Sequence, residues 1–251
     1  VHPVLFSIGS FSLYSYGLMM AVGVLVALFV VNREGERYGL NRDLVTKMVV
    51  YTFLMGLFGA RVLYIVTRLS DPTVSLWDLI INVRAGFVYY GGLASSWLFL
   101  VWFLWRYKKE LPFWPMSDAA SLGICIGLAM GRIGCLLGGC CFGSACELPW
   151  AVRMANEPAL GPLHPVQLYE FIFLVLMFGF LWWRRRRKSY EGEITVIFVG
   201  TYAIARYILE FYRGDLIRGF VVEPWMSTSQ FIGLVFLPIA VVLHFKLRKK
   251  P

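Results

Sequence analysis

Three arginines stand where arginine is costly: Arg61, Arg132 and Arg206 each interrupt a long apolar stretch of the sequence. A guanidinium at membrane depth costs at least about 2 kcal/mol on insertion scales unless it is paired or hydrated. Three such charges call for compensation by acids or by a shared anionic ligand. Arg206 has a partner on its own helix, because Glu210 follows at i+4. Tyr202 lies one turn earlier on the same face, and Arg213 follows Glu210 at i+3. Arginine presents a planar fork of donors that engages phosphate oxygens two at a time. A phospholipid headgroup is the phosphate most readily met at this depth. The chemistry implied is recognition of a lipid phosphate; the competing reading is a buried ion-pair network that only joins helices.

A second cluster lies around residues 131–143, where Gly131, Gly134, Gly138, Gly139 and Gly143 alternate with Arg132, Cys135, Cys140 and Cys141. Glycine at this density lets backbones approach closely and ends the helix. Gly91 and Gly92 either serve the same cavity or provide small-residue helix packing alone. Four of the five cysteines, Cys135, Cys140, Cys141 and Cys146, fall close together. Their spacing matches no standard zinc pattern and encloses no histidine, so the expectation is no metal and small apolar packing residues. His164 opens a run that places Gln167 and Glu170 just inside an apolar stretch. Directed at a polar cavity, these two side chains gain partners that lipid would deny them.

These residues must be positioned by membrane-crossing helices. Apolar blocks of about 20 residues span a hydrocarbon core. Seven fit, at about residues 16–31, 44–66, 86–105, 118–138, 166–183, 194–212 and 227–245. Basic residues alternate between the connecting loops. One side carries Arg33, Arg37, Arg42, Arg106, Lys108, Lys109, Arg184 to Arg187, Lys188, Lys246, Arg248, Lys249 and Lys250. The other carries Arg68, Arg84, Arg153, Arg213 and Arg218. The richer side is cytoplasmic by the positive-inside rule, which places the C-terminus inside and the N-terminus in the periplasm. Spans two, four and six then run outward, and Arg61, Arg132 and Arg206 reach a similar depth in the outer half. Trp102, Trp105, Trp114, Trp182, Trp183 and Trp225 sit at span ends as interfacial anchors.

Composition excludes a soluble fold: 59% of the 251 residues are hydrophobic and the mean hydropathy is +0.67. The net charge of +9 resides in short loops, so it is a topology signal and no nucleic-acid surface is expected. With no basic stretch ahead of it, the first apolar block is expected to be a retained span. The expected fold is an all-α polytopic membrane protein, one integral domain over residues 1–251. A small periplasmic insertion is expected at about 139–165.

The residues resemble the prolipoprotein diacylglyceryl transferase family of the bacterial inner membrane, over essentially the whole chain. The motifs that carry the resemblance are Phe6-Ser7-Ile8-Gly9, Tyr16-Gly17-Leu18-Met19, and Gly59-Ala60-Arg61 with Tyr64. The run 131–143, in a variant with several cysteines, and the runs 164–170 and 202–213 complete it. The resemblance implies transfer of diacylglyceryl from phosphatidylglycerol to the lipobox cysteine of a prolipoprotein signal peptide, releasing glycerol phosphate. It implies that Arg132 and Arg206 clamp the phosphate, that Glu210 orients Arg206, and that Tyr90 partners the acceptor. Tyr16, Tyr202 and Gly143 would shape the headgroup site, with His164, Gln167 and Glu170 in its wall. Arg61, Gly91, Gly92 and Cys135 match positions expected to contact substrate. Phosphatidylglycerol, the signal peptide and membrane lipids are the expected partners, and no cofactor is implied. The chain departs from the family at Cys135, where asparagine is usual, and at Tyr90, where a histidine is the proposed thiol base. The alternatives are a divergent paralogue with another acceptor and a phospholipid transporter or scramblase; the sequence shows none of the paired repeat halves common in transporters.

Overall fold

The computed structural model describes residues 2–8, 11–69, 75, 77, 79, 86–154, 158–214, 220–222 and 225–249. Gly9, Arg84, Arg218 and Lys250 of the sequence reading lie outside these residues. Among the described residues, seven long helices follow one another: α1 (Ser15–Arg37), α2 (Arg42–Arg68), α3 (Tyr89–Arg106), α4 (Phe113–Gly138), α5 (Val166–Arg184), α6 (Glu193–Leu209) and α7 (Thr228–Arg248). Six of them are long and apolar enough to cross a membrane; α3, with 18 residues, is the exception. Tyr89, Tyr90, Gly91, Gly92, Ser95 and Ser96 dilute its hydropathy. Leu25, Phe29, Phe58, Leu176 and Val242 project outward and are more than half exposed. Such apolar surface is untenable in water and favourable against lipid chains.

The helix ends are written locally. Asn41 accepts from the Leu44 amide and starts α2. Ser227 and Gln230 form a reciprocal capping box at α7. Among the described residues, three two-stranded antiparallel ladders lie outside the helices: β1 (Val4–Ile8) with β2 (Phe11–Tyr14), β3 (Val152–Arg153) with β4 (Pro162–Leu163), and β5 (Phe220–Val222) with β6 (Met226–Ser227).

The chain divides into two compact units, residues 1–31 with 117–251, and residues 32–116. In the smaller unit α2 and α3 pair through small residues. A β-carbon on Gly91 or Gly92 would collide with the facing α2 helix, and Ser95 and Ser96 donate to the Met55 and Thr52 carbonyls at 2.7 and 3.1 Å. In the larger unit Val30, Leu122, Cys125, Ala129, Leu174, Leu181, Ile194 and Phe198 form a core shared by α1, α4, α5 and α6. Asp118 is fully buried at one end of that unit. It accepts from Lys188 at 3.1 Å and from the Gly192 and Thr195 amides at 3.0 Å each, tying α4 to the connection between α5 and α6.

Candidate functional site

Four helices of the larger unit each deliver a polar side chain to one place. Arg132 comes from the last two turns of α4, and Glu170 from the first two turns of α5. Tyr202 and Arg206 come from the end of α6, and Ser229 from the first turn of α7. Glu210 follows α6 in a short 3-10 turn (Glu210–Tyr212). The helix propensity of α6 thus continues into that turn, and Glu210 stays one helical turn from Arg206 as its i+4 spacing requires.

Glu170 is the centre of the arrangement and is 1% exposed. Its Oε1 atom pairs with Arg132 Nη2 at 3.0 Å and accepts the Tyr202 hydroxyl at 2.9 Å. Its Oε2 lies 3.9 Å from Arg206 Nη1. Arg206 Nη2 pairs with Glu210 Oε2 at 3.2 Å and donates to Ser229 Oγ at 3.2 Å. Arg206 Nη1 is buried and has no hydrogen-bond partner among the described residues. A buried guanidinium N–H without an acceptor is unfavourable, and an incoming anionic oxygen supplies what it lacks. Beside Arg206 opens a cavity of about 200 Å³ between α6 and α7, lined by Phe198, Tyr202, Ala203, Ile232, Gly233 and Phe236. An apolar slot with Arg206 in its lining suits a molecule with an acyl chain and an anionic head.

The sequence matches the prolipoprotein diacylglyceryl transferase family over residues 3–246. The chain belongs to that family. Among its relatives, the phosphatidylglycerol–prolipoprotein diacylglyceryl transferase of Clostridium tetani is 33% identical over 242 residues, covering 95% of each chain. The protein of that name from Chromohalobacter salexigens is 31% identical over 262 residues, covering 100% of this chain and 94% of the relative. The second such transferase of Clostridium perfringens is 30% identical over 253 residues, covering 98% and 95%.

Within this diacylglyceryl transferase chain, the expected residues fall into two groups. Arg132, Glu170, Tyr202, Arg206 and Glu210 converge in the cluster just described. Gln167, one turn before Glu170, is 1% exposed and donates to the Cys140 carbonyl at 2.7 Å. Tyr16 lies against the last turns of α4 at Gly134 and Gly138. His164 and Gly143 tie together the described residues between α4 and α5, here called the cap. The Gly143 amide donates to the His164 carbonyl at 2.9 Å, Gly143 bridges to Arg213, and the His164 ring meets Tyr169 and Tyr212 edge-on.

Arg61, Tyr90, Gly91 and Gly92 belong to the smaller unit. Arg61 donates to the Gly86 carbonyl at 3.0 Å and to the Leu79 carbonyl, and its guanidinium lies 5.2 Å from the Tyr64 ring centre. It therefore fastens the segment before α3. Tyr90 is well exposed, with its ring edge-on to Tyr89. Gly91 and Gly92 carry the close approach to α2.

Sequence reasoning missed two features of this family member. Ser229 follows the span-seven cap and carries no signal that it faces Arg206. Cys135, Cys140 and Cys141 are close in sequence and expected as small apolar packing residues, and the structure brings their Sγ atoms within 4.8 Å of one another as free thiols. The helix end between Cys135 and Cys140 folds back on itself, so a spacing without a metal pattern still brings three thiols to one point.

Proposed function

We propose that this protein transfers the diacylglyceryl group from phosphatidylglycerol to the lipobox cysteine thiol of bacterial prolipoproteins. Arg206 carries the reading, through a buried Nη1 donor left without an acceptor among the described residues, beside an apolar slot. The lipid chain lies along α6 and α7 and the phosphate meets Arg206 and Arg132. As the thiol gives its proton to solvent and its sulfur attacks the glyceryl carbon, the C–O bond to phosphate breaks and glycerol phosphate leaves with the bonding pair. The developing negative charge is met by fixed guanidiniums in a water-poor site, where such donors are most effective. Glu170 and Glu210 hold the two arginines in place before substrate arrives, and Tyr202 fixes the orientation of Glu170.

The finer assignments belong to the same proposal. The chain is one membrane domain of the bacterial inner membrane that crosses it seven times, with α3 as the seventh span. The N-terminus and the site face the periplasm, and the C-terminus is cytoplasmic. Tyr16, Cys135, Gly143, His164 and Gln167 wall the headgroup site. Arg61, Tyr90, Gly91 and Gly92 are substrate-contacting residues in the same proposal, with the Tyr90 hydroxyl as hydrogen-bond partner for the acceptor.

The test combines purified protein, phosphatidylglycerol and a lipobox peptide, read by mass spectrometry. The expected result is a diacylglyceryl mass gain on the cysteine peptide and none on its serine counterpart. Phospholipid moving between leaflets of a proteoliposome without any peptide product would replace the transferase with a lipid transporter.

A further inference from the structure

Just past the arginine–glutamate cluster, three thiols close on one another at the C-terminal end of α4. Cys135 sits in the last turn of the helix, and Cys140 and Cys141 in the turn beyond. All three are free thiols, and every pair of sulfurs lies within 4.8 Å. Cys140 and Cys141 Sγ are 3.8 Å apart. Two thiolates bound tetrahedrally at about 2.3 Å from one zinc-sized ion stand roughly 3.8 Å apart, so this edge already has the span of a coordinated pair.

The backbone is shaped to hold them. Cys141 takes φ 63°, a left-handed conformation that residues with a β-carbon seldom adopt, and Gly139 just before it takes φ 72°. The Cys140 carbonyl is fixed by the buried Gln167 side chain at 2.7 Å. Packing alone gives no reason to maintain a left-handed cysteine within reach of two others.

We propose that Cys135, Cys140 and Cys141 bind one thiophilic d¹⁰ cation of the Zn²⁺ type, with its fourth position open to the acceptor thiol of the transfer reaction. The ion site stands on the geometry above; the acceptor role rests on the proposed transferase function. Exposed Cys140 leaves that fourth position accessible from outside the chain. On binding, three S–H protons pass to solvent and three metal–sulfur bonds form, giving a complex of net charge −1. Arg132 acts electrostatically on Cys135 and Cys141, and Arg213 on Cys141, so the added negative charge meets positive charge.

A free thiol with pKa about 8.5 is mostly protonated at neutral pH, whereas a metal-bound thiol is deprotonated outright. The buried acid paired with Arg132, Glu170, is already committed to Arg132 and Tyr202. In the proposed step the acceptor thiol joins as fourth ligand and gives its proton to solvent. Its sulfur then forms the C–S bond to the glyceryl carbon as the C–O bond to phosphate breaks, the pair leaving with the phosphate. The thioether product is a weaker ligand and departs; no electrons are exchanged with the metal.

The experiment uses the full chain in detergent, reduced and stripped of metal, titrated with Cd²⁺ while the sulfur-to-cadmium charge-transfer absorbance is read. One equivalent is expected to bind. Cys135→Ser, Cys140→Ser and Cys141→Ser are each expected to weaken binding more than tenfold, and Cys125→Ser to leave it unchanged. Circular dichroism melting accompanies each variant, and Cys140→Ser, at the exposed position, serves if a buried replacement unfolds. No charge-transfer band in the wild type, or wild-type affinity in any of the three variants, overturns the site. Adding the lipobox cysteine peptide is expected to increase the band, as a fourth sulfur joins, while the serine peptide leaves it constant. Equal response to the two peptides overturns the acceptor role while leaving the ion site intact. A wild-type enzyme that transfers nothing to the peptide removes the transferase reading, and the cadmium titration still decides the site.

Discussion

Arg206 Nη1 and Glu170 Oε2 stand 3.9 Å apart, close enough for attraction and too far for a hydrogen bond. The other oxygen of the same carboxylate holds Arg132 at 3.0 Å and the Tyr202 hydroxyl at 2.9 Å. One acid thus keeps two guanidiniums at unequal range, and the looser one retains a donor for an incoming oxygen. With Glu210 added, the cluster has two arginines and two acids, which makes it tolerable at membrane depth before any ligand binds.

Removing either guanidinium tests the clamp. Arg132→Ala and Arg206→Ala are each expected to reduce transfer to the lipobox peptide by about 10²-fold or more, the usual loss when a donor to a developing oxyanion is deleted. Arg206→Lys keeps the charge and discards the fork, so an intermediate loss is expected. Wild-type turnover in the two alanine variants would remove the phosphate-clamp assignment.

Glu170→Gln leaves two buried guanidiniums short of countercharge. Breaking a buried pair in this way costs about 3–5 kcal/mol, so the detergent-solubilised protein should melt well below wild type. Tyr202→Phe deletes one hydrogen bond to the same carboxylate and should cost about 1 kcal/mol. Equal melting temperatures for the two variants would mean that Glu170 is not the shared anchor.

Gly143→Ala probes the cap. A β-carbon there would meet the Tyr212 carbonyl at 2.6 Å and the His164 carbonyl at 2.7 Å, and neither backbone group yields as a side-chain tip would. The Gly143–His164 hydrogen bond is expected to break, and limited proteolysis should then cut within residues 139–165 faster than in wild type. Unchanged cleavage would show that the cap accommodates the methyl group.

Asp118→Ala acts at the far end of the same unit. It removes the buried carboxylate that pairs with Lys188 and that accepts from the Gly192 and Thr195 amides. Stability should fall by about 3–5 kcal/mol. The KM for phosphatidylglycerol, measured on the folded fraction, should stay at the wild-type value, since Asp118 touches none of the cluster. A raised KM would couple this end of α4 to the lipid site.

Much was legible without coordinates. Apolar runs located the long helices of the described residues, six of them long and apolar enough to cross a membrane, because crossing hydrocarbon fixes both length and composition. The helix α1 runs six residues past its expected end, and α4 begins five before its expected start. Arg206 and Glu210 could be paired from spacing alone, since i and i+4 meet on any helix. Arg132, cut off from charged neighbours in its own span, could be marked as needing a partner, and Glu170 as pointing inward. Their pairing was not legible: it depends on how α4 meets α5, and ridge-into-groove contacts between helices leave no local mark in either sequence.

Arg61 shows the opposite limit. By depth and type it matched Arg132 and Arg206, yet its donors go to the Leu79 and Gly86 carbonyls within the smaller unit. The three cysteines show it again, since their convergence follows from left-handed backbone at Gly139 and Cys141 and not from spacing. By itself the sequence determined the class of protein, its helices, its family and the charges that need compensation, because hydrophobicity, charge and helical period act locally. Only the tertiary structure decided which charges compensate which, that Arg206 keeps a donor open, and that three thiols meet, because each depends on distances between separate helices and turns.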